Sequence, residues 1–231
     1  MTPDQRRYWL RKFFEKHPYY QFGQKGDSTT EQGSEGCTHT NVQALLKIWF
    51  GKDYTQDQIS EFADYKPRDQ GFTPIHLEKV FKRTGLPYRM LFHARPKEIL
   101  EYAADFGPVL VAVQYKYHPE WFGARYMGKK ATGEDNGYAR PLGKAGKNQL
   151  TGFDGGHSEI VLGPRKRRDG IIDVMIHDPN HRSIIRPEEV PWERVTLAQF
   201  AKMFNGYAQN VNPSRRTVAA VPTEVFNGRT R

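Results

Sequence analysis

Cys37 is the one cysteine in a chain of 231 residues, so an internal disulfide framework is excluded and the thiol is either a packed apolar group or a reactive one. Its setting, Gln32-Gly33-Ser34-Glu35-Gly36-Cys37-Thr38-His39 ahead of an apolar helical run, suits a nucleophile. A thiol attacks a carbonyl as its thiolate, and both a helix N-terminus and a nearby imidazole favour that charge. Gly36, with no side chain, would let a substrate backbone come close. Gln32 could turn its amide toward the oxygen of a tetrahedral intermediate, with the backbone N–H of Cys37 as the second donor of that oxyanion hole. Gln21 and Gln24 compete for the same role.

The complementary groups lie in the C-terminal half. Gly155-Gly156-His157-Ser158-Glu159-Ile160-Val161-Leu162-Gly163 places His157 at the start of a strand, and the next strand ends in Asp178-Pro179. Ile172, Val174 and Ile176 alternate and Asp178 continues their face, so its carboxylate points inward, where an unpaired charge is costly. A hairpin symmetric about Arg167 and Arg168 sets His157 directly across from Asp178, close enough for the carboxylate to orient the ring and stabilise its cation. A tight turn centred on Asp169-Gly170 would pair His157 with Arg182 instead.

These side chains need a scaffold. Residues 3–16 predict a helix in which Trp9 and Phe13, and Leu10 and Phe14, are spaced four apart, packed on the chain's own core or offered to a partner. Residues 20–36 read as loop. The next helix spans about 40–50, with Val42, Leu45, Leu46 and Trp49 on one face and Gly51 as its stop. Thr40 with Gln43 forms a capping-box pattern, and Thr38 is a competing cap. A short helix near 55–63 follows; Thr73-Pro74 opens another that ends at Gly85, and a further helix covers 96–104. The periodicity then changes. Residues 108–115 predict a buried strand, the His157 and Asp178 segments a hairpin, 195–204 a late helix and 217–222 a last strand, while 116–156 read as one long loop. Helices ahead of strands argue for an α+β class with a mainly antiparallel sheet.

Three segments in this order resemble the C39-like branch of the papain-like cysteine peptidases. They are Gln32 with Gly36-Cys37 and the apolar helix closed by Gly51; a pair of helices leading to Gly107-Pro108-Val109-Leu110-Val111-Ala112-Val113; and Gly156 to Gly163 followed by Val174-Met175-Ile176-His177-Asp178-Pro179. The match runs from about residue 30 to 205. The resemblance implies a papain-like fold, Cys37 as nucleophile, His157 as general base and acid, Asp178 as orienting residue, Gln32 as oxyanion donor, and neither metal nor other cofactor. It divides the chain into an N-terminal helical arm over 1–25, a peptidase domain over 26–205 with 116–156 as a loop insertion, and an extension over 206–231. Where the family usually has Cys-Gly-Pro, this chain has Cys37-Thr38-His39, and the added imidazole of His39 is expected to face solvent.

The implied activity is that of a cysteine peptidase or amidase hydrolysing peptide bonds. A basic domain of this kind resembles phage-encoded enzymes, lysins or tail-tip components, that cut bacterial cell-wall peptides, so peptidoglycan stem peptides are the expected substrate. The alternative is a virion or assembly component built on the same fold, catalytically silent and docked to neighbouring subunits through its terminal arms.

The 35 Lys and Arg against 26 Asp and Glu give a net charge of +9, which suits an anionic envelope. Nucleic acid has only this charge behind it, and no Gly-rich loop has a phosphate-cradling context. Mean hydropathy is −0.77 and no apolar run reaches signal-peptide or membrane-spanning length, so synthesis in a cytoplasm is expected, with a virion as one destination. His177 and His181 are four apart but straddle Pro179, so they share no helical face and make a poor metal pair. Arg165-Lys166-Arg167-Arg168 reads as a solvated hairpin tip.

Overall fold

The computed structural model describes residues 2–16, 37–66, 72–91, 93–114, 156–179, 193–210 and 218–220. Four helices come first: α1 (Pro3–Lys16), α2 (Cys37–Phe50), α3 (Gln56–Ala63) and α4 (Pro74–Thr84). Strand β1 (Arg89–Leu91), helix α5 (Pro96–Asp105) and strands β2 (Val109–Gln114), β3 (Gly156–Lys166), β4 (Ile172–His177) and β5 (Glu193–Thr196) follow, then α6 (Leu197–Asn210) and β6 (Val218–Ala220). The six strands form one sheet in the order β1-β6-β2-β3-β4-β5, antiparallel at every pairing. The class is therefore a mixture of helices and antiparallel sheet, as expected. None of the described helices is long and apolar enough to cross a membrane.

Local chemistry fixes several boundaries. Thr73 accepts from the His76 N–H at the start of α4, Pro74 occupies its first turn, and Gly85 closes it in the left-handed conformation. Thr55 and Gln58 form a reciprocal capping box on α3. α2 differs from expectation, because it begins at Cys37 itself. Thr38 and Thr40 lie inside it, and the expected capping pair is used in tertiary contacts instead: Gln56 Nε2 donates to Thr40 Oγ1 at 3.2 Å and Gln43 Nε2 to the Tyr54 carbonyl at 2.7 Å. Val195 and Thr196 belong to β5, not to the late helix, since they pair with Val174 and Asp173. α6 starts after them at a Thr196–Gln199 capping box.

The sheet is covered on both faces. Leu110, Ile160, Leu162 and Met175 pack with α1 to α4 on one side; Val109, Val111, Val113, Val161, Val174 and Ile176 pack with α5 and α6 on the other. Burial on both faces explains why β2 and β3 read as continuous apolar runs. Leu10 and Phe14 of α1 are fully buried in the first cluster, so this helix spends its main apolar positions on the chain's own core. β6, from the segment expected as a C-terminal extension, is an interior strand between β1 and β2.

The β3–β4 hairpin is not symmetric about Arg167 and Arg168. Arg167 N–H donates to Ile171 O at 2.8 Å and Gly170 N–H to Arg167 O at 3.1 Å, leaving a three-residue loop. Gly170 stands at φ 83°, a conformation that suits glycine and that this loop type requires. The pairs Lys166↔Ile172 to Gly163↔Met175 give way to Val161↔Ile176 and Ile160↔His177, so Leu162 is an extra residue, a β-bulge. The tip itself is solvated: Lys166, Arg167 and Arg168 are exposed.

Candidate active site

Cys37 is the first residue of α2, where unpaired backbone N–H groups and the helix dipole favour an anion. The Sγ of its half-buried side chain lies 3.9 Å from Thr38 Oγ1, and His157 and the Ser158 backbone are close enough to lower its pKa. One turn along the helix, Asn41 Nδ2 donates to the Ser158 carbonyl at 2.8 Å and to its hydroxyl at 3.2 Å. These two bonds tie the start of α2 to the start of β3, which carry the Cys37 thiol and the His157 imidazole.

His157 follows Gly156 at the start of β3, opposite Val113 of β2, and is buried. Its Nε2 lies 2.6 Å from Asp178 Oδ1, which leaves Nδ1 for the thiol. Asp178 is not directly across from His157, as a symmetric hairpin would have it. Carrying the Ile160↔His177 pairing one residue further sets Asp178 opposite Glu159 and diagonal to His157. Diagonal neighbours on one face are about 7–8 Å apart, within reach of two side chains of this length.

The electrostatics follow from the contacts. Burial alone would push the Cys37 thiol up, but the hydrogen bond and charge of His157, the Ser158 backbone and the Thr38 hydroxyl together hold it below its ordinary value. Burial, again the largest effect, would strip the proton from His157. The charge and hydrogen bond of Asp178, with those of Cys37, outweigh it and raise the ring well above its ordinary value. Both shifts favour a thiolate beside an imidazolium. Gln32, Gln21 and Gln24 lie outside the described residues; the Cys37 N–H at the helix start does not.

His39 does not face solvent. It is 1% exposed, its Nε2 lies 3.0 Å from Ser60 Oγ, and Tyr65 and Phe72 meet its ring edge to face at 5.2 and 4.6 Å. The helix start at Cys37 sets this: His39 lies on the inward side of the first turn. Burial, helped by the charge of His76 and opposed by Asp57, lowers its pKa to about 4. A pKa depressed in the folded state means the unfolded chain binds the extra proton. His39 therefore contributes stability that is full above its unfolded value of 6.5 and is lost as pH falls toward 4. Between pH 7 and 4.5 the loss is on the order of 2–3 kcal/mol. Urea midpoints at the two pH values should show it in the wild type and a clearly smaller drop in His39→Gln; equal drops would contradict this account.

His177 is also buried, with its ring stacked on Phe14 at 3.8 Å between centroids; His181 lies outside the described residues. Glu159 went unpredicted although it shares the period-two face of His157, and it is completely buried. One atom each of His157, Glu159 and Asp178 lie within 4.8 Å of one another. The 2.6 Å between His157 and Asp178 is a hydrogen bond; ligands spread tetrahedrally around an ion at about 2.0–2.2 Å stand further apart.

No family model matches the chain, and no curated protein does. Among solved structures, it is similar to a crystal structure described as a candidate C39-like peptidase from Bacillus anthracis, at 12% sequence identity over 81% of this chain and 89% of that one, with a TM-score of 0.47. A likeness at that level assigns no activity.

Proposed function

We propose that this protein is a cysteine peptidase or amidase with a papain-like arrangement of nucleophile, base and orienting residue. The observation that carries the reading is the buried pair beside the start of α2: His157, whose charge acts on the Cys37 thiol, bonded at 2.6 Å to a buried Asp178. The Cys37 thiolate attacks the carbonyl carbon, and the oxyanion that forms is met by the Cys37 N–H and, in this reading, by the Gln32 amide. The His157 imidazolium gives its proton to the leaving amine as the C–N bond breaks, leaving a thioester. Water then attacks the thioester, its proton passes to His157, and the sulfur departs as thiolate, restoring the ion pair. Asp178 keeps the ring oriented and stabilises its charge in both half-reactions.

The finer reading is that the substrates are bacterial cell-wall peptides and the enzyme a phage tail-associated or lysin-type protein. The net charge of +9 supports it, because the envelope is anionic. The test is release of new amino groups from purified peptidoglycan, synthetic stem peptides and a denatured protein, with Cys37→Ala in parallel. Release by the wild type alone is the expected result, and cleavage of the denatured protein but not the wall material would sink the cell-wall assignment. No release from any substrate, with a wild type whose thiol is demonstrably activated, would favour the assembly role.

A further inference from the structure

We propose that the tip of the β3–β4 hairpin, with the side chains that flank it, is a docking surface for an anionic lipid bilayer. β3 continues from Leu162 to Lys166 beyond Val161, its last pair with β2, so the hairpin projects past that neighbour. Residues 165–173 carry four cations against two carboxylates. One of the four engages both carboxylates: Arg167 lies 3.3 Å from Asp169 and 3.8 Å from Asp173. Arg165, Lys166 and Arg168 form no ion pair among the described residues. Lys166 and Arg168 are exposed and Arg165 is half-buried.

Large hydrophobic side chains gather at the same end. Ile171 and Ile172 stand exposed on the tip. β2 begins at Val109, opposite Val161, so the exposed Phe106 just before it lies on the tip side of the sheet; the Ala103 carbonyl in the preceding turn of α5 faces Gly163. From the opposite face of the sheet, Arg7 of α1 donates to the Pro164 carbonyl. Beside it the exposed Tyr8 carries the Lys12 ammonium 5.8 Å from its ring centroid. Among the described residues the other exposed large hydrophobic side chain is Ile75, at the start of α4. Scattered apolar groups on a surface are ordinary; a gathering of them rimmed by cations marks an interaction surface. Lipid phosphates answer the cations, at about 5-fold in affinity per Lys or Arg, and the boundary between headgroups and acyl chains takes aliphatic and aromatic side chains. A soluble polyanion such as nucleic acid would use the cations and leave the two isoleucines in water. His157 stands at the other end of β3 from Lys166, about 30 Å away at the rise of a strand, so docking at the tip leaves the Cys37–His157 end free.

The test is flotation of the full chain with phosphatidylcholine vesicles, with and without one third phosphatidylglycerol, at low and high NaCl. Three double variants are compared, with melting curves to verify folding. Lys166→Glu with Arg168→Glu reverses the free tip cations, and Ile171→Ser with Ile172→Ser removes the apolar pair. Lys52→Glu with Lys97→Glu makes the same change of net charge at exposed positions elsewhere. The wild type should float with the anionic vesicles alone, and less so in high salt. Affinity should fall at least ~25-fold on reversing the tip cations and about 10-fold with the serine pair, and far less in the matched control. Cys37 alkylation should proceed at the same rate with and without vesicles. No flotation with anionic vesicles, equal losses in tip and control variants, a serine pair without effect, or vesicles that shield Cys37 would each overturn the proposal. Binding to duplex DNA that is tighter than to vesicles and blind to the serine pair would assign the tip to a soluble polyanion and overturn it too. The lipid and salt dependence of the wild type stands without any variant, and no variant touches Cys37, His157 or Asp178, so the outcome is independent of the triad reading.

Discussion

Iodoacetamide is expected to alkylate wild-type Cys37 well below pH 8, and His157→Ala is expected to abolish that low-pH reactivity. An unperturbed thiol, with a pKa near 8.5, is about 0.3% thiolate at pH 6. Cys37 is held below its ordinary value chiefly by the hydrogen bond and charge of His157, against a burial effect that would otherwise raise it. Without the imidazole, burial dominates and the thiol should become harder to ionise than a free one. A low-pKa thiolate is also a weaker nucleophile, which takes back part of the gain. The net expectation at pH 6 is a rate at least ~10-fold higher in the wild type than in the variant. Matching curves would mean that the pair does not act as an activated nucleophile.

Asp178→Ala is expected to have the second large effect, on stability and reactivity together. The carboxylate is the main influence raising His157, and the burial it overcomes is larger than any other single effect on the ring. Removing it leaves a buried imidazole that can no longer stay charged. Breaking a buried pair by deleting one partner costs about 3–5 kcal/mol. The sign also follows: a ring whose folded pKa is raised stabilises the fold below its unfolded value, and that contribution fades as pH rises through the folded value. The deficit of the variant should therefore be largest below pH 6.5 and shrink in alkali. Asp178→Asn keeps an acceptor for Nε2, so it should recover most of the stability while low-pH alkylation remains impaired. Urea midpoints and alkylation rates on the same samples separate the two effects; an Asp178→Ala variant as stable and as reactive as wild type would show that the 2.6 Å bond has no consequence.

Elements bounded by local chemistry are legible in the sequence. α4 is marked at both ends by Thr73-Pro74 and Gly85, and α1 by the Leu10–Phe14 spacing. Elements defined by long-range pairing are not: β1 and β5 have three and four residues, and β5 exists because Val195 and Thr196 meet β4. At the site, the inward aspartate and its imidazole partner are legible from period two, and the structure brings His157 and Asp178 together. The route to that contact is not legible, because it runs through a three-residue turn and a bulge rather than a symmetric hairpin. His39 is misjudged for a related reason: polarity suggests solvent, whereas the true helix start turns it toward Tyr65 and Phe72. Glu159 escapes notice because a lone Glu in a buried strand carries no motif, only a face.

The extra residue in β3 has a consequence for how this hairpin can vary. Counted inward from the turn, the pairs Lys166↔Ile172 to Gly163↔Met175 would, if Leu162 took the next regular place opposite Ile176, set Asp178 against Ile160 and leave His157 on the reverse side of the sheet. Leu162 changes the count from even to odd and restores the two side chains to a common side. The hairpin thus behaves as a parity device. A single-residue insertion or deletion between the bulge and His157 would separate His157 from Asp178 even if every hydrophobic position were kept. A matched pair of changes, one on each strand, would leave the count intact. Length in this segment is tolerated only in steps that conserve parity, a constraint set by chain counting and not by the identity of any one side chain.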